Sequence, residues 1–448
     1  MDKTSETQVY AETQGFMRKL KGLYIDFIEK NKYNILLYGV DDLEDFHYYL
    51  CHQLIGDGME IYMKNIVVPK GFKYLGKNIG IKQGKKDFAV AFCEKVCSSA
   101  AVFTKNSMCG VSIPIGRKNV QNGELQAIVV TSGIANVATG KQGTANALRI
   151  MNVLAEKLDI KEEDILPSST GVIGQQLPID TIIKGLNSID VNEELKSDNL
   201  DQFVEAIMTT DTQKKISYKK VGEANILGVC KGSGMIEPNM ATMLVYIFTD
   251  AVIDSECLQD IVKASADKTF NMMSIDTDTS TSDTLVAMAS NHYNVNVDEF
   301  KDAFLDLCRE LTIMVATDGE GASKLIEVNV TGAKSFIQAK TIAKSIVNSP
   351  LVKTSIYGAD PNWGRVVMAI GKVADKDVVL EKVKIEYGGI QAYNCGEICD
   401  ATEEIRKYLR ECKKCIVNVD LGLGQECGTV WGCDLTEKYV EINGSYTS

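Results

Sequence analysis

Residues 243–249, Met-Leu-Val-Tyr-Ile-Phe-Thr, are the stretch that most constrains this fold. An apolar run of that length, rich in β-branched and aromatic side chains, reads as a buried strand. Strands of this kind need cover, so the chain is expected to build sheets covered by helices. Loose backbone feeds the run, because Gly232, Gly234 and Pro238 sit poorly inside a helix or a central strand. Thr242 stands at the junction of loop and strand. A threonine there either simply starts the strand or serves as a nucleophile, and the junction by itself leaves both open.

Short strands and helices alternate on either side of this run. Further strands are expected over residues 85–92, 125–130, 324–330 and 415–421, and helices over 144–158, 179–186 and 299–316. Pro178 suits the first turn of the second of these helices. Asp298 is expected to cap the third, whose buried face is marked by Phe300, Phe304, Leu307, Leu311 and Met314. Mixed elements of this kind specify an α/β (α+β) fold. Residues 1–63 differ in texture, mixing aromatic and charged residues in helix-like runs, and read as a helical N-terminal extension of unknown role.

With 448 residues the chain is long enough for two or three compact units. Apolar residues at 45% and charged residues at 24% are ordinary globular usage, and no apolar run approaches the ~18 to 20 residues of a membrane span. A net charge of −12 argues against nucleic acid, whose backbone rewards clustered Lys and Arg. The thirteen cysteines, with no signal peptide at the N-terminus, read as reduced thiols in a cytoplasm.

Metal patterns are weak. Cys412, Cys415, Cys427 and Cys433 lack the matched short spacing of a zinc knuckle, and His47, Cys51 and His52 in the extension read as packing residues. Residues 276–283 begin like a calcium loop but lack its sixth-position glycine and twelfth-position glutamate. Gly80, Gly84, Lys85 and Lys86 have the wrong spacing for a phosphate loop. Neither a metal nor a cofactor is expected. Of three histidines only His292 lies in the main body, so a serine or cysteine nucleophile has no ready imidazole base.

Polar, glycine-bearing blocks stand out at residues 131–140, 168–174, 208–212, 231–242, 317–324, 357–365 and 439–448. Together they resemble the glutamate N-acetyltransferase (ornithine acetyltransferase) family of arginine biosynthesis, in order, over residues 66–448. Pro238, Asn239, Met240, Ala241, Thr242, Met243 and Leu244 form the most specific block. The resemblance implies self-cleavage between Ala241 and Thr242, dividing the acetyltransferase into an α chain from residue 64 to 241 and a β chain of residues 242–448. The cut would leave chains of 241 and 207 residues (448 − 241).

By the same resemblance the Thr242 hydroxyl is the nucleophile and its freed α-amino group the base. Such a group titrates near ~7.7 to 8.0 when unperturbed, so no histidine is needed. The acetyl group of N-acetylornithine passes to Thr242 and then to glutamate, a ping-pong route giving ornithine and N-acetylglutamate. Thr170 and the Gly171 backbone N–H are implied as the oxyanion hole. Lys231 would take the substrate α-carboxylate, Glu320 its amino end, and Thr209, Asn443 and Ser448 further contacts. N-acetylornithine and glutamate are the implied small-molecule partners, acetyl-CoA is left open as a co-substrate, and α and β chains are expected to assemble as an α2β2 heterotetramer.

Bland alternatives stand beside these roles. Residues 168–171 also suit a plain turn, Lys231 and Glu320 suit solvated loops, and Asn443 suits the cap of a final strand. Ile134 and Ala138 stand where the family commonly has asparagine and cysteine, and Ser445 where an aspartate is usual. The altered blocks leave two rivals: an N-terminal-threonine amidase or acyltransferase acting on another amine, and a non-catalytic binding scaffold.

Overall fold

A computed structural model describes residues 66–237 and 243–445. The expected extension with His47, Cys51 and His52, the Pro238, Asn239, Ala241 and Thr242 positions, and Ser448 lie outside the described residues. Val67–Ser448 forms one compact unit.

The first sheet takes up β1 (Phe72–Lys77), β2 (Phe88–Phe103), α1 (Ser112–Asn119), β3 (Glu124–Ile134), α2 (Gly140–Leu158) and β4 (Ile165–Val172). After α3 (Ile179–Asn187), α4 (Val191–Glu194) and α5 (Leu200–Ile207) come β5 (Lys215–Val221), β6 (Ala224–Lys231), β7 (Leu244–Ala251), α6 (Ser255–Lys268) and β8 (Thr284–Tyr293). The strand order is β4-β3-β2-β8-β7-β6-β5, with β1 paired to β2. α7 (Val297–Thr317) leads into a second sheet containing β9 (Leu325–Ala333). It is followed by α8 (Phe336–Val347), α9 (Pro350–Tyr357), α10 (Trp363–Gly371), β10 (Lys384–Tyr387), β11 (Ile390–Asn394) and β12 (Glu397–Ile398). The chain finishes with α11 (Thr402–Glu411), β13 (Lys414–Asp420), β14 (Glu426–Cys433) and α12 (Glu437–Gly444), and the second sheet runs β12-β11-β10-β13-β9-β14. This is the α/β architecture expected, with sheets covered by helices.

Every residue of β7 is buried, as its composition requires. Alternation sends Tyr246 and Phe248 to an aromatic cluster with Phe72, Tyr74 and Phe203, while Val245 and Ile247 face a core that includes Phe304, Leu307 and Leu311 of α7. The expected buried face of α7 is therefore present, but its cap is Asn296, whose side chain accepts the Asp298 and Glu299 N–H groups. Asp298 sits inside the first turn, because the helix starts two residues before the expected cap allows. α2 likewise starts earlier than expected, at Gly140, and Pro178 stands just before α3 instead of in its first turn.

The strand expected over residues 85–92 starts only at Phe88 but runs on to Phe103. Asp87 explains the late start: its carboxylate accepts the N–H groups of Ile79 at 2.7 Å, Gly80 at 3.2 Å, Ile81 at 2.6 Å and Lys82 at 2.8 Å. Those amides, the ones a phosphate would need, already hold an internal carboxylate. A register shift between Phe92 and Cys97 interrupts the pairing of β2 with β3, and on its other edge the first half of β2 pairs with β1 and the second with β8. The bulge bends the sheet. Among the described residues no helix is long and apolar enough to cross a membrane.

Candidate active site

β4 is the last strand of its sheet, which lets it carry Pro167 without losing a ladder bond on the open side. It runs parallel to β3, with Thr170 opposite Ser132 and Gly171 opposite Gly133. The two backbones come so close that a Cβ on Gly171 would lie 2.2 Å from the Gly133 carbonyl carbon, and its φ of +129° belongs to glycine. Thr170 is buried. The Lys231 ammonium, at the end of β6, donates to Thr170 Oγ1 at 3.0 Å.

Asp211 ties the neighbouring segments together. Its Oδ1 accepts the Gly232 N–H at 2.6 Å and the Lys215 ammonium at 2.7 Å, and its Oδ2 accepts the Thr209 N–H at 3.0 Å. Lys215 also donates to Asp318 at 2.5 Å, just upstream of Glu320. Burial works against the Asp211 charge, but Lys215 and Lys231 outweigh it and bring the carboxyl down to about 2. Burial lowers the Lys231 pKa, against the pull of Asp211, Asp283 and Glu320.

Glu320 donates its N–H to the Ser233 carbonyl at 2.8 Å, which fixes its loop against residues 231–237. Gly234 has no Cβ for a steric reason, since one would lie 2.4 Å from the Glu320 carboxyl carbon. Asn443 Nδ2 donates to Glu320 Oε2 at 2.7 Å. Asn443 lies in α12 and caps no strand, because Thr436 accepts the Lys438 N–H and starts a helix. One turn earlier on the same face, Tyr439 donates to Asp276 Oδ2 at 3.3 Å.

These groups share one cavity. A space of about 130 Å3 is lined by Thr170, Gly171, Thr209, Lys231, Glu320 and Asn443, together with Met235 and residues 280–282. A recess of about 30 Å3 continues past Thr170 and Lys231 to Met243 and Asp283. The ends of β4 and β6 and the start of β8 thus converge with two segments of the second half of the chain. Ala241, Thr242 and Ser448 lie outside the described residues.

The sequence model of the ArgJ family matches residues 73–448. The chain belongs to the ArgJ family. Arginine biosynthesis bifunctional protein ArgJ 2 of Clostridium acetobutylicum is 52% identical over 387 residues, spanning 86% of this chain and 99% of that one. Glutamate N-acetyltransferase Oat2 of Streptomyces clavuligerus is 40% identical over 388 residues, spanning 85% and 98%. Among solved structures, arginine biosynthesis bifunctional protein ArgJ of Bacillus halodurans is 42% identical and spans 45% of this chain and 98% of its own, with a TM-score of 0.43.

Within this ArgJ-family cavity, the altered positions are peripheral. Ile134 packs on the core beneath β3 and Ala138 is exposed with φ at +58°, and neither lines the cavity. The Ser445 hydroxyl donates to the Glu441 carbonyl at 3.0 Å. His292 lies at the other end of β8 from Thr284, about 26 Å away at ~3.3 Å per strand residue. It bonds Ser290 at 3.0 Å and cannot reach the cavity.

The calcium-like block has a different use. Asp276 accepts the N–H groups of Met235 at 2.7 Å and Ile236 at 2.8 Å, bracing the loop after β6. Ser280, Thr281 and Ser282 then reach the cavity wall. Sequence reasoning missed these residues, Asp211 and Asp283. The signal was a polar run leading straight into a buried strand, the same texture that singles out residues 231–242. Among the described residues no cluster of His, Cys, Asp and Glu could hold a metal ion. Cys427 is exposed, while Cys433 packs beside the Lys353 ammonium at 3.9 Å.

Proposed function

We propose that this chain is a glutamate N-acetyltransferase that cleaves itself between Ala241 and Thr242. It then moves the acetyl group of N-acetylornithine to glutamate through an acetyl ester on Thr242. The observation that carries this reading is the convergence of Thr170, Gly171, Thr209, Lys231, Glu320 and Asn443 on one cavity that continues to Met243, the residue after Thr242.

The geometry suits each role. Because Lys231 donates to Thr170 Oγ1, the hydroxyl proton of Thr170 is free for a second partner, and the ammonium strengthens it as a donor. Together with the Gly171 N–H it stabilises the oxyanion of both tetrahedral states. Lys231 also attracts the α-carboxylate that both amino acids share. Glu320, held by Asn443, meets the amino end of ornithine. The amine at the new N-terminus of residue 242 takes the hydroxyl proton.

The proposal carries acetyl-CoA as a second acetyl donor, in keeping with the bifunctional names of relatives. It places the enzyme in the cytoplasm as an α2β2 assembly, with Ser448 as a further substrate contact. Denaturing mass measurement tests the core of it. The purified protein should give chains of 241 and 207 residues, whereas Thr242→Ala should stay a single chain of 49.1 kDa and lose acetyl transfer. Transfer from N-acetylornithine no faster than its hydrolysis would assign the site to an amidase instead.

A further inference from the structure

The recess beyond Thr170 holds two polar atoms that the reaction above leaves unused. Asp283 Oδ2 and Ser282 Oγ are buried and have no hydrogen-bond partner among the described residues. Both side chains line the recess with Thr170, Lys231 and Met243. The backbone beside them is tied into the sheet: Asp283 O accepts the Thr104 N–H at 3.0 Å, and the Thr284 N–H reaches Met243 O at 2.8 Å. An orphaned carboxyl oxygen in a buried site weakens the fold unless a ligand satisfies it. About 30 Å3 is room for one small polar group, such as a water or an amino group, and too little for a side chain.

We propose that Asp283 and Ser282 receive the reacting nitrogen of the amino-acid substrate, accepting its N–H bonds while the acyl group passes between that nitrogen and the enzyme hydroxyl. This rests on the acyl-transfer reading and adds the seat of the amine to it. In the first half-reaction the C–N bond of the donor amide breaks as the C–O ester bond forms, and the nitrogen takes up the proton the hydroxyl released. In the second, the C–N bond of the acceptor forms, the C–O bond breaks, and one amine proton returns to the hydroxyl oxygen.

Each half passes through a tetrahedral state in which the nitrogen carries positive charge. An aspartate oxygen beside it binds that state more tightly than the neutral amide or amine on either side. The positions are complementary, with donors for the oxyanion at Thr170 and acceptors for the nitrogen at Ser282 and Asp283, on walls of the same recess. Burial holds the Asp283 carboxyl well above the usual carboxylate range, against the pull of the Ser280 hydroxyl and the Lys231 ammonium. Lys231 itself faces Asp211, Lys215 and Glu320. The charged form of Asp283 is the effective one, so turnover should rise with pH as this carboxyl ionises.

The test uses Asp283→Asn and Ser282→Ala in the full chain, with cleavage checked by denaturing mass and folding by thermal melting. Asp283→Asn should lower kcat for acetyl transfer to glutamate ~100-fold while KM stays within ~3-fold, and should remove one of the two ionisations from the acidic limb of the kcat profile, leaving that of the Thr242 α-amine. Ser282→Ala should lower kcat ~10-fold at unchanged KM. Wild-type kcat and pH dependence in Asp283→Asn would mean the recess holds only a structural water, and would overturn the proposal. If Asp283→Asn does not fold or cleave, Ser282→Ala decides: reduced kcat at constant KM supports the proposal, and wild-type kcat overturns it. Full transfer by Thr242→Ala would sink the parent reading instead.

Discussion

Lys231 sits where two demands meet, because it must stay charged for a carboxylate and yet lies deep beside the Thr170 hydroxyl. Replacing it with Met should cut kcat/KM for N-acetylornithine ~100- to 1,000-fold in steady-state assays, since both an oxyanion-strengthening cation and a carboxylate partner go. Thr170→Val removes one oxyanion donor at nearly constant shape. It should lower kcat ~100- to 1,000-fold and leave KM close to wild type. Gly234→Ala tests geometry without touching charge: the added methyl would displace the Glu320 carboxylate, and KM for the amino-acid substrates should rise. At this scale the glycines and polar blocks were visible in the sequence, but their reasons were not. Nothing in the order of residues says that Gly234 makes room for Glu320, or that Gly171 touches Gly133. Those are contacts across gaps in the chain that only folding closes.

Among the elements, α12 shows how a local boundary reaches the site. Thr436 caps it and also donates to the Gly321 carbonyl at 2.6 Å, next to Glu320. Thr436→Ala should cost about 1 kcal/mol of stability by denaturant unfolding and raise KM with little change in kcat. The segment was open to a strand reading because its short run of β-branched residues carries weak periodicity, and the threonine cap with tertiary packing decides for helix. β7 and α7 were readable because burial on both faces of a strand, or along one stripe of a helix, is written in local spacing. The starts of β2 and α7 were misplaced because they depend on single side chains, Asp87 and Asn296, that capture nearby N–H groups.

For the molecule as a whole, the buried Asp211–Lys215–Asp318 network links the loop after α5, the start of β5 and the loop after α7. Asp211 falls to about 2 in the fold, below the ~3.9 of an unfolded aspartate. Its contribution is therefore complete above pH ~4 and is lost as pH drops toward 2, where the unfolded state binds the extra proton. Melting temperature should fall steeply across that window. Asp211→Asn, which leaves buried Lys215 with one carboxylate, should already cost ~3 to 5 kcal/mol at neutral pH and show a shallower acid drop. Chemical denaturation at pH 7 and at pH 3 checks both.

Local pattern alone determined that this chain builds covered sheets and that residues 243–249 are a buried strand. Those features depend on neighbours a few residues away. The bend of β2, the meeting of Thr170 with Lys231, and the arrival of Glu320 and Asn443 from the second half of the chain were decided by the tertiary structure. So were the orphaned oxygens of Ser282 and Asp283. Whether a buried polar atom finds a partner depends on every segment packed around it, and no stretch of sequence carries that information by itself.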